Sequence, residues 1–198
     1  MGQRMFVAVV PPQRVRDHLA EFLEPRAGLR WSAPDQWHVT LAFLAAVPEH
    51  VVDELVERLS AAAARQARFA VRIGGAGAFP HAGRSVVLWL AVTPVAGGDV
   101  DGGPVDRPLH RLAAGARAAA NAAGAAADGR AFVPHVTLAR PRPPIEATRW
   151  LRVLDTYRGP EWPVEQVELV ASHLREGPAR RPRYETVATL PLGRPADG

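Results

Sequence analysis

The sequence of 198 residues contains no cysteine and no lysine. The absence of cysteine excludes disulfides, thiolate metal ligands and a cysteine nucleophile. Because all 24 basic residues are arginine, a lysine Schiff base and a P-loop lysine are excluded as well. A Gly-x-Ser-x-Gly turn, which presents the nucleophile in many serine hydrolases, is also missing. Covalent catalysis by these routes is therefore not expected.

Long apolar runs are missing too. No stretch approaches the roughly 18–20 apolar residues that a membrane-spanning helix needs. The first residues pass directly into a predicted strand without the plan of a signal peptide, which predicts a cytoplasmic protein that is not associated with a membrane. The net charge of +4 and the pI near 10.8 suit an anionic partner, although the base composition of the coding DNA would explain the arginines equally well.

The tetrapeptide His-Val-Thr-Leu occurs twice, at residues 38–41 and at residues 135–138, about half a chain apart. Each copy lies in a run whose composition is typical of a β-strand. Side chains alternate between the two faces of a strand, so the His and Thr of each copy share one face while the Val and Leu share the other. Each copy is thus predicted to anchor its apolar face in a core and to present an imidazole beside a hydroxyl group.

The segments around the two copies follow the same outline of strand, helix, His-x-Thr strand, helix and further strands. Residues 1–93 read as β-α-β-β-α-β-β, including a short strand at residues 30–32. A strand at residues 69–73 is expected to loosen at the glycines that follow it. Residues 108–194 repeat the outline, beginning with an alanine-rich helix.

The stretch at residues 94–107 is rich in Gly, Asp and Pro and predicts a flexible surface loop between these halves. It lacks the terminal glutamate of an EF-hand, so calcium binding is not predicted. We predict an α+β fold in which residues 1–198 form a single bilobal domain. Two lobes related by a pseudo-twofold axis would each contain an antiparallel sheet and helices, and the His-x-Thr strands would face a central cleft.

Two imidazoles across a cleft suit general acid–base catalysis, in which a neutral ring accepts one proton and a protonated ring donates another. His38 and His135 are therefore the predicted catalytic residues. Thr40 and Thr137 can donate hydrogen bonds to anionic oxygens and stabilise charge that develops between the histidines. A phosphodiester fits because in-line displacement at phosphorus needs an acid and a base on opposite sides. A cyclic phosphate fits especially well, since its ring holds the leaving oxygen in place.

Metal binding is the weaker interpretation of the two histidines. Neither motif has a carboxylate or a third histidine near it in the sequence, and threonine would be an unusual ligand. We predict no metal site and no cofactor. Because the two lobes would complete one site within one chain, a monomer without an obligate protein partner is sufficient.

Other residues are candidates for contact with a substrate. Phe6 and Phe132 could stack on a base or a ribose, with core packing as the alternative. Arg130 could contact phosphate, or it could be a solvated surface arginine. Strand alternation assigns Arg140 to the face opposite His135, which makes it a weaker candidate. Of the remaining histidines only His173 is kept, as a distant candidate for the cleft.

The paired His-x-Thr-x motif resembles that of the two-histidine phosphoesterase superfamily, and most closely that of the LigT-like RNA 2′,3′-cyclic phosphodiesterases, also described as RNA 2′-5′ ligases. The resemblance runs nearly end to end and rests on these segments: residues 4–8, 30–31, 38–44, 77–80, 87–90, 132–140 and 184–185. Two positions depart from the family pattern, where members often have Arg and Gly instead of Ala42 and Ala45.

The resemblance implies a bilobal fold and metal-independent hydrolysis of an RNA 2′,3′-cyclic phosphate to a 2′-phosphate. It implies that His38 donates a proton to the leaving 3′ oxygen and that His135 activates water, while Thr40 and Thr137 hold the phosphate. The expected partner is RNA or a nucleotide with a 2′,3′-cyclic phosphate end. Three alternatives stay open: 2′-5′ RNA ligation by the same histidines, cyclic phosphodiesterase activity on a small nucleotide, and a non-catalytic RNA-binding module.

Overall fold

A computed structural model describes residues 2–95, 107–177 and 181–193. Most of the predicted loop at residues 94–107 lies outside this described part, as do residues 194–198 at the C-terminus. Within the described part, no helix is both long enough and apolar enough to cross a membrane.

The described residues form eight β-strands and four α-helices, together with short turns of 3₁₀ helix. The strands are β1 (Gln3–Val9), β2 (Val39–Val47), β3 (Phe69–Phe79), β4 (Val87–Pro94), β5 (His135–Ala139), β6 (Trp162–Val164), β7 (Gln166–His173) and β8 (Arg183–Pro191). The helices are α1 (Gln13–Leu23), α2 (Val52–Ala64), α3 (Arg107–Ala122) and α4 (Thr148–Leu154).

All eight strands belong to one sheet, in the order β6-β3-β4-β5-β2-β1-β7-β8, and each paired strand runs antiparallel to its neighbour. The sheet is strongly curled. Strand β6 lies at one edge and β7 lies six places along the order, yet only the residue Glu165 separates these two strands in the sequence. Six spacings in a flat sheet would separate the two strands by roughly 29 Å. Two residue steps of extended chain reach only about 7 Å.

The centre of the sheet is the junction between β5 and β2, which carry the two His-x-Thr motifs. The β5 side continues with β4, β3 and β6, and the β2 side continues with β1, β7 and β8. Each side therefore combines two strands from residues 1–93 with two from residues 108–194. The single sheet confirms the predicted α+β class and the antiparallel pairing, and it shows that the sequence halves are interleaved in space.

The helices cover one face of the sheet and form the main core with it. Helices α2 and α3 pack on each other and against β8 and β2, respectively. On the β5 side, α4 contacts β3, and Phe22 of α1 meets the ring of Tyr157, which follows α4. Helical spacing explains how α1 docks, since Val15, Leu19 and Leu23 lie on one stripe and are buried. Burying each such side chain stabilises the fold by about 1.5–3 kcal/mol.

Two short strands differ from the prediction. Residues 30–32 do not form a strand, and only Trp31 makes an isolated bridge, to Ala139. Conversely, the sequence pattern does not predict β6, because this strand has three residues and one of them is Pro163. Its place at the edge of the sheet is one that a proline tolerates.

The glycines after residue 73 do not end β3, which continues to Phe79. Gly77 pairs with Trp89 of β4, and a Cβ atom at position 77 would lie only 2.0 Å from the Trp89 ring. The glycine therefore leaves the space in which this indole lies across the neighbouring strand. A residue that sequence patterns treat as a strand breaker thus positions an aromatic ring beside the second His-x-Thr motif.

Candidate active site

The two His-x-Thr strands are neighbours and pair antiparallel through Val39 and Val136. This pairing brings the His of each copy opposite the Thr of the other copy. Both valines are fully buried in the main core. The other face carries four half-buried side chains and is called the His/Thr face after them: His38, Thr40, His135 and Thr137.

A β-bulge follows the threonine in β2. The register between β1 and β2 shifts by one residue after Thr40, and both Leu41 and Ala42 are buried. Because an extra residue reverses the alternation of faces, Phe43 returns to the His/Thr face. There Phe43 packs in a small apolar cluster separate from the main core. Ala42 therefore points into the main core.

β5 repeats this arrangement on the other side of the centre. The register between β4 and β5 shifts at Leu138, and both Leu138 and Ala139 are buried. Arg140 consequently emerges on the His/Thr face, where its charge lowers the pKa of both His38 and His135. Simple alternation assigns Arg140 to the opposite face from His135, and this assignment fails because alternation does not allow for the bulge.

Both histidine rings are held by the same kind of hydrogen bond. Nδ1–H of His38 donates to the carbonyl oxygen of Gln36 at 2.8 Å, and Nδ1–H of His135 donates to that of Val133 at 2.6 Å. A carbonyl oxygen can only accept, so Nδ1 carries the hydrogen and Nε2 of the neutral ring is an acceptor. Nε2 is therefore the atom of each histidine that can exchange a proton with a substrate.

Aromatic side chains enclose His38 on the β2 side. The ring of Phe6 stacks on His38 with centroids 4.5 Å apart, and the ring of Tyr184 meets His38 edge-on at 5.4 Å. The side-chain amide of Gln36 donates to the carbonyl oxygen of Pro182 at 2.9 Å, which ties the segment before β2 to the start of β8. This contact holds Tyr184 and the backbone acceptor of His38 in one unit.

Different aromatic side chains, from β3 and β4, enclose His135. The ring of Phe79 meets His135 edge-on at 5.2 Å, and the indole of Trp89 lies tilted at 5.6 Å. Phe79 and Trp89 come from paired strands, and Gly77 leaves the room that the indole occupies. Each histidine is thus fixed by two aromatic rings, but the rings of the two sites come from different strands.

Burial lowers the pKa of both histidines. The pKa of His38 falls from 6.5 to about 4, mainly because burial removes water from the charged form. The hydrogen bond to Gln36 opposes this fall, and the charges of Arg140 and His135 add to it. Desolvation is also the first cause of the lowered pKa of His135, followed in the same direction by Arg140. Both rings are consequently neutral near pH 7 in the free protein.

Positive charge surrounds the histidines. Desolvation lowers the pKa of Arg140, and the charges of Arg142 and Arg4 lower it further. Desolvation raises the pKa of Tyr184, which the charges of Arg140 and Arg4 partly offset. Among residues 2–95, 107–177 and 181–193, none of these three arginines forms an ion pair with a carboxylate. Such a cluster favours the binding of an anion.

The other candidates from the sequence lie in different surroundings. Arg130 is on the loop before β5, where its side chain is 89% exposed and pairs with an aspartate two residues earlier. Phe132 is half-buried, and its ring meets His110 at 5.1 Å. His173 lies at the end of β7 in an ion-pair cluster with Glu185. Of the predicted supporting residues, Phe6 is the one that the structure brings to a catalytic histidine, His38.

Sequence patterns do not predict four of the neighbours of the histidines: Arg140, Tyr184, Phe79 and Trp89. One signal for Arg140 is present in the sequence, because the two copies are identical over five residues and end in two consecutive apolar residues, Leu-Ala. A second apolar residue where alternation expects a polar one indicates a bulge.

In the described part of the chain, no three His, Asp or Glu side chains are arranged to hold a metal ion.

Comparison with known proteins identifies the family. The profile of the 2′-5′ RNA ligase superfamily matches residues 9–176. The RNA 2′,3′-cyclic phosphodiesterase of Thermus thermophilus is 34% identical over 185 residues, which cover 88% of this chain and 85% of that protein. The protein of the same name from Aeropyrum pernix is 31% identical over 179 residues, which cover 88% of this chain and 93% of that protein.

Solved structures agree in fold. The crystal structure of a Thermus thermophilus protein superposes with a TM-score of 0.69 at 30% identity, covering 96% of this chain and 97% of that chain. Escherichia coli LigT complexed with 3′-AMP also gives a TM-score of 0.69, at 27% identity, with coverages of 97% and 99%. These matches confirm the resemblance stated from the His-x-Thr motifs. The chain belongs to the 2′-5′ RNA ligase superfamily.

Proposed function

We propose that this protein hydrolyses RNA 2′,3′-cyclic phosphate ends to 2′-phosphates by general acid–base catalysis, without a metal ion. The observation that carries the proposal is the pair of histidines on adjacent central strands, each with Nδ1 tied to a backbone carbonyl and Nε2 left for proton transfer. The relatives named RNA 2′,3′-cyclic phosphodiesterase, and the LigT structure with 3′-AMP, support the choice of reaction and substrate.

The reaction needs one water molecule and two proton transfers. Nε2 of His135 accepts a proton from the water as its oxygen attacks phosphorus. The bond between phosphorus and the 3′ oxygen breaks, and that oxygen takes the proton from Nε2 of His38. The products are a 2′-phosphate and a 3′-hydroxyl group, and exchange with solvent restores both rings. This order of the two roles follows the family resemblance.

The lowered pKa of His38 means that it must gain its proton when the substrate binds. An anionic phosphate beside the ring favours the charged imidazolium and raises its pKa again. Binding therefore prepares the acid, while the ring of His135 stays neutral as the base. The two rings can hold opposite protonation states because the positive charge on one imidazole disfavours a second positive charge on the other.

Thr40, Thr137 and Arg140 would bind the non-bridging phosphate oxygens. Each threonine lies opposite the histidine of the other strand, so the hydroxyl groups flank the space between the imidazoles. The guanidinium of Arg140 carries the charge that reaches both rings. Donors that are already in place stabilise the charge that develops in the transition state without reorganising.

The test is hydrolysis of a short RNA ending in a 2′,3′-cyclic phosphate, measured in EDTA. We expect the wild type to release a 2′-phosphate, and each of His38→Ala and His135→Ala to lower kcat by about 10²–10⁴, because each removes one proton transfer. His50→Ala is the matched control, since His50 is an exposed histidine before α2. Loss of activity in EDTA would contradict the metal-free mechanism. Binding without hydrolysis would indicate a non-catalytic RNA-binding module.

A substrate with sulfur in place of the bridging 3′ oxygen tests the assignment of roles. A thiolate leaves without needing a proton, so the variant that lacks the acid should recover activity on this substrate. We expect recovery for His38→Ala and none for His135→Ala. The opposite pattern would exchange the two roles.

The proposed active unit is one chain. In this proposal residues 1–198 form a single bilobal domain, and its two His-x-Thr motifs together complete the site. Ligation of RNA ends through a 2′-5′ linkage would use the same atoms in reverse, and hydrolysis should dominate in dilute aqueous solution. Sedimentation of the active protein tests the monomer.

A further inference from the structure

Beside His38, the His/Thr face continues into a group of residues that the reaction described above does not use. The guanidinium carbon of Arg4 lies 4.4 Å from the centroid of the Phe43 ring. Phe43 pairs with Phe6 across β1 and β2, and the ring of Phe6 contacts Tyr184 at 5.1 Å. Arg4, Phe43 and Tyr184 therefore form a continuous surface that begins at His38.

The bulge in β2 is the reason that this surface exists. Without the extra residue, Phe43 would point into the main core and Arg4 would have no ring to lie on. The Phe43 ring holds the guanidinium plane by a cation–π contact and reduces the freedom of a long, exposed side chain. Arg4 is thus oriented in advance while its outer side stays open to solvent.

The charges indicate two anion positions rather than one. Arg140 follows the bulge at the end of β5, and its charge lowers the pKa of both histidines, so we assign it to the reacting phosphate. Arg4 lies on β1 two residues before Phe6, the ring that stacks on His38, and its guanidinium lies on the Phe43 ring, which places it beyond Phe6 on the same face. Within the described residues Arg4 has no ion pair, and Asp35 is the acidic group that acts on the Tyr184 hydroxyl.

We propose that Arg4, Phe43 and Tyr184 form a second nucleotide subsite, in which Arg4 binds the internucleotide phosphate next to the terminal nucleotide. The substrate class is then an oligoribonucleotide end, because a nucleoside 2′,3′-cyclic phosphate without a 5′-phosphate has no second phosphate to place there. Phe43 is a positioning residue for Arg4, and the guanidinium plane can also receive a base. This inference rests on the proposed function, which supplies the position of the reacting phosphate.

The test compares two ligands that are not cleaved: adenosine 2′-phosphate and the dinucleotide ApA ending in a 2′-phosphate. By calorimetry we expect the dinucleotide to bind wild type at least about tenfold more tightly, as a charge-assisted phosphate contact predicts. The slope of log Kd against log salt should be steeper by about 0.7, the value for one more phosphate contact on a single strand. Equal affinities for the two ligands in wild type would overturn the subsite.

Variants test which residues cause the difference in affinity between the two ligands. Arg4→Ala should abolish the dinucleotide advantage and the added salt slope, and it should weaken the binding of adenosine 2′-phosphate much less than that of the dinucleotide. Arg4→Lys should keep the salt slope, and Phe43→Leu, which preserves apolar packing, should weaken the dinucleotide alone. Arg65→Ala is the matched control, because Arg65 is exposed at the end of α2 and α2 packs on the other face of the sheet. Equal weakening of both ligands by Arg4→Ala would contradict a second subsite.

Hydrolysis of the corresponding cyclic substrates separates this inference from the proposed function. Cleavage of both substrates with no preference for the dinucleotide would overturn the subsite and leave the phosphodiesterase intact. A binding preference that depends on Arg4, together with failure to cleave either substrate, would support the subsite and overturn the phosphodiesterase.

Discussion

His38 and His135 stand in the same pentapeptide, on adjacent strands, with the same backbone hydrogen bond and a bulge after the same threonine. Their surroundings nevertheless differ. Phe6 and Tyr184 enclose His38, and its pKa falls to about 4. Phe79 and Trp89 border His135, whose pKa is lowered without so large a shift. The duplicated motif sets the atoms that react, and the neighbouring strands set how readily each ring takes a proton.

The residues that follow the two bulges differ as well. On the β2 side this position is Phe43, which supports Arg4, and on the β5 side it is Arg140, which acts on both histidines. One equivalent position therefore provides an aromatic platform and the other a charge. The backbones of the two strands are alike, and the site differs between its two sides because Phe43 follows one bulge and Arg140 follows the other.

The largest effect is expected from Arg140→Ala. Removing a positioned charge beside the reacting phosphate should lower kcat/KM by about 10²–10³, the range for losing one donor to a developing anion. The pKa of His38 should rise toward its ordinary value, because one of the charges that lowers it is gone. Steady-state kinetics and NMR titration of the imidazole measure the two effects.

Arg130→Ala is the comparison for this variant, since the same charge is removed from a side chain that is 89% exposed and paired with Asp128. We expect kcat/KM to change by less than roughly twofold, because an exposed ion pair contributes little. A tenfold loss at Arg130 and none at Arg140 would favour the assignment made from sequence alone.

Gly77→Ala should disturb the His135 side only. A Cβ atom 2.0 Å from the Trp89 ring must displace the indole, and overpacking of this kind destabilises a fold by about 1–3 kcal/mol. Gly115→Ala is the matched control, because nothing lies within 4 Å of a Cβ there and the helical position should gain about 0.5–1 kcal/mol. Urea unfolding measures both. A wild-type midpoint for Gly77→Ala would contradict the account of Trp89.

The smallest effect concerns the acid stability of the fold. His38 has a pKa of about 4 when folded and about 6.5 when unfolded, so the unfolded state binds its proton first. The stability associated with the neutral ring is therefore complete above about pH 6.5 and is lost as the pH falls toward 4. Allowing for the partial exposure of the ring, the loss at pH 5 should be about 1–2 kcal/mol.

His38→Gln should flatten this pH dependence more than His135→Gln does, because the larger pKa shift belongs to His38. Urea unfolding at about pH 7.5 and about pH 5 gives the required free energies. Equal flattening by the two variants would show that the two rings are enclosed to the same extent.

Much of the fold could be predicted because its signals are local. Period-two and period-3.6 patterns identify most of the strands and helices, and the repeated tetrapeptide selects four side chains that the structure brings to one face. The failures have a different origin. The bulges depend on register against a neighbouring strand, β3 continues through Gly77 because of an indole on β4, and Tyr184 reaches His38 from the far end of the chain.

The sequence by itself determined the α+β class, the family resemblance and the two His-x-Thr pairs, because these rest on residue types and short-range spacing. Only the tertiary structure decided that the sequence halves interleave, that Arg140 and Phe43 reach the His/Thr face, and that the two imidazoles have different pKa values. These properties depend on strand order, register and enclosure by distant residues, which no short stretch of the chain specifies.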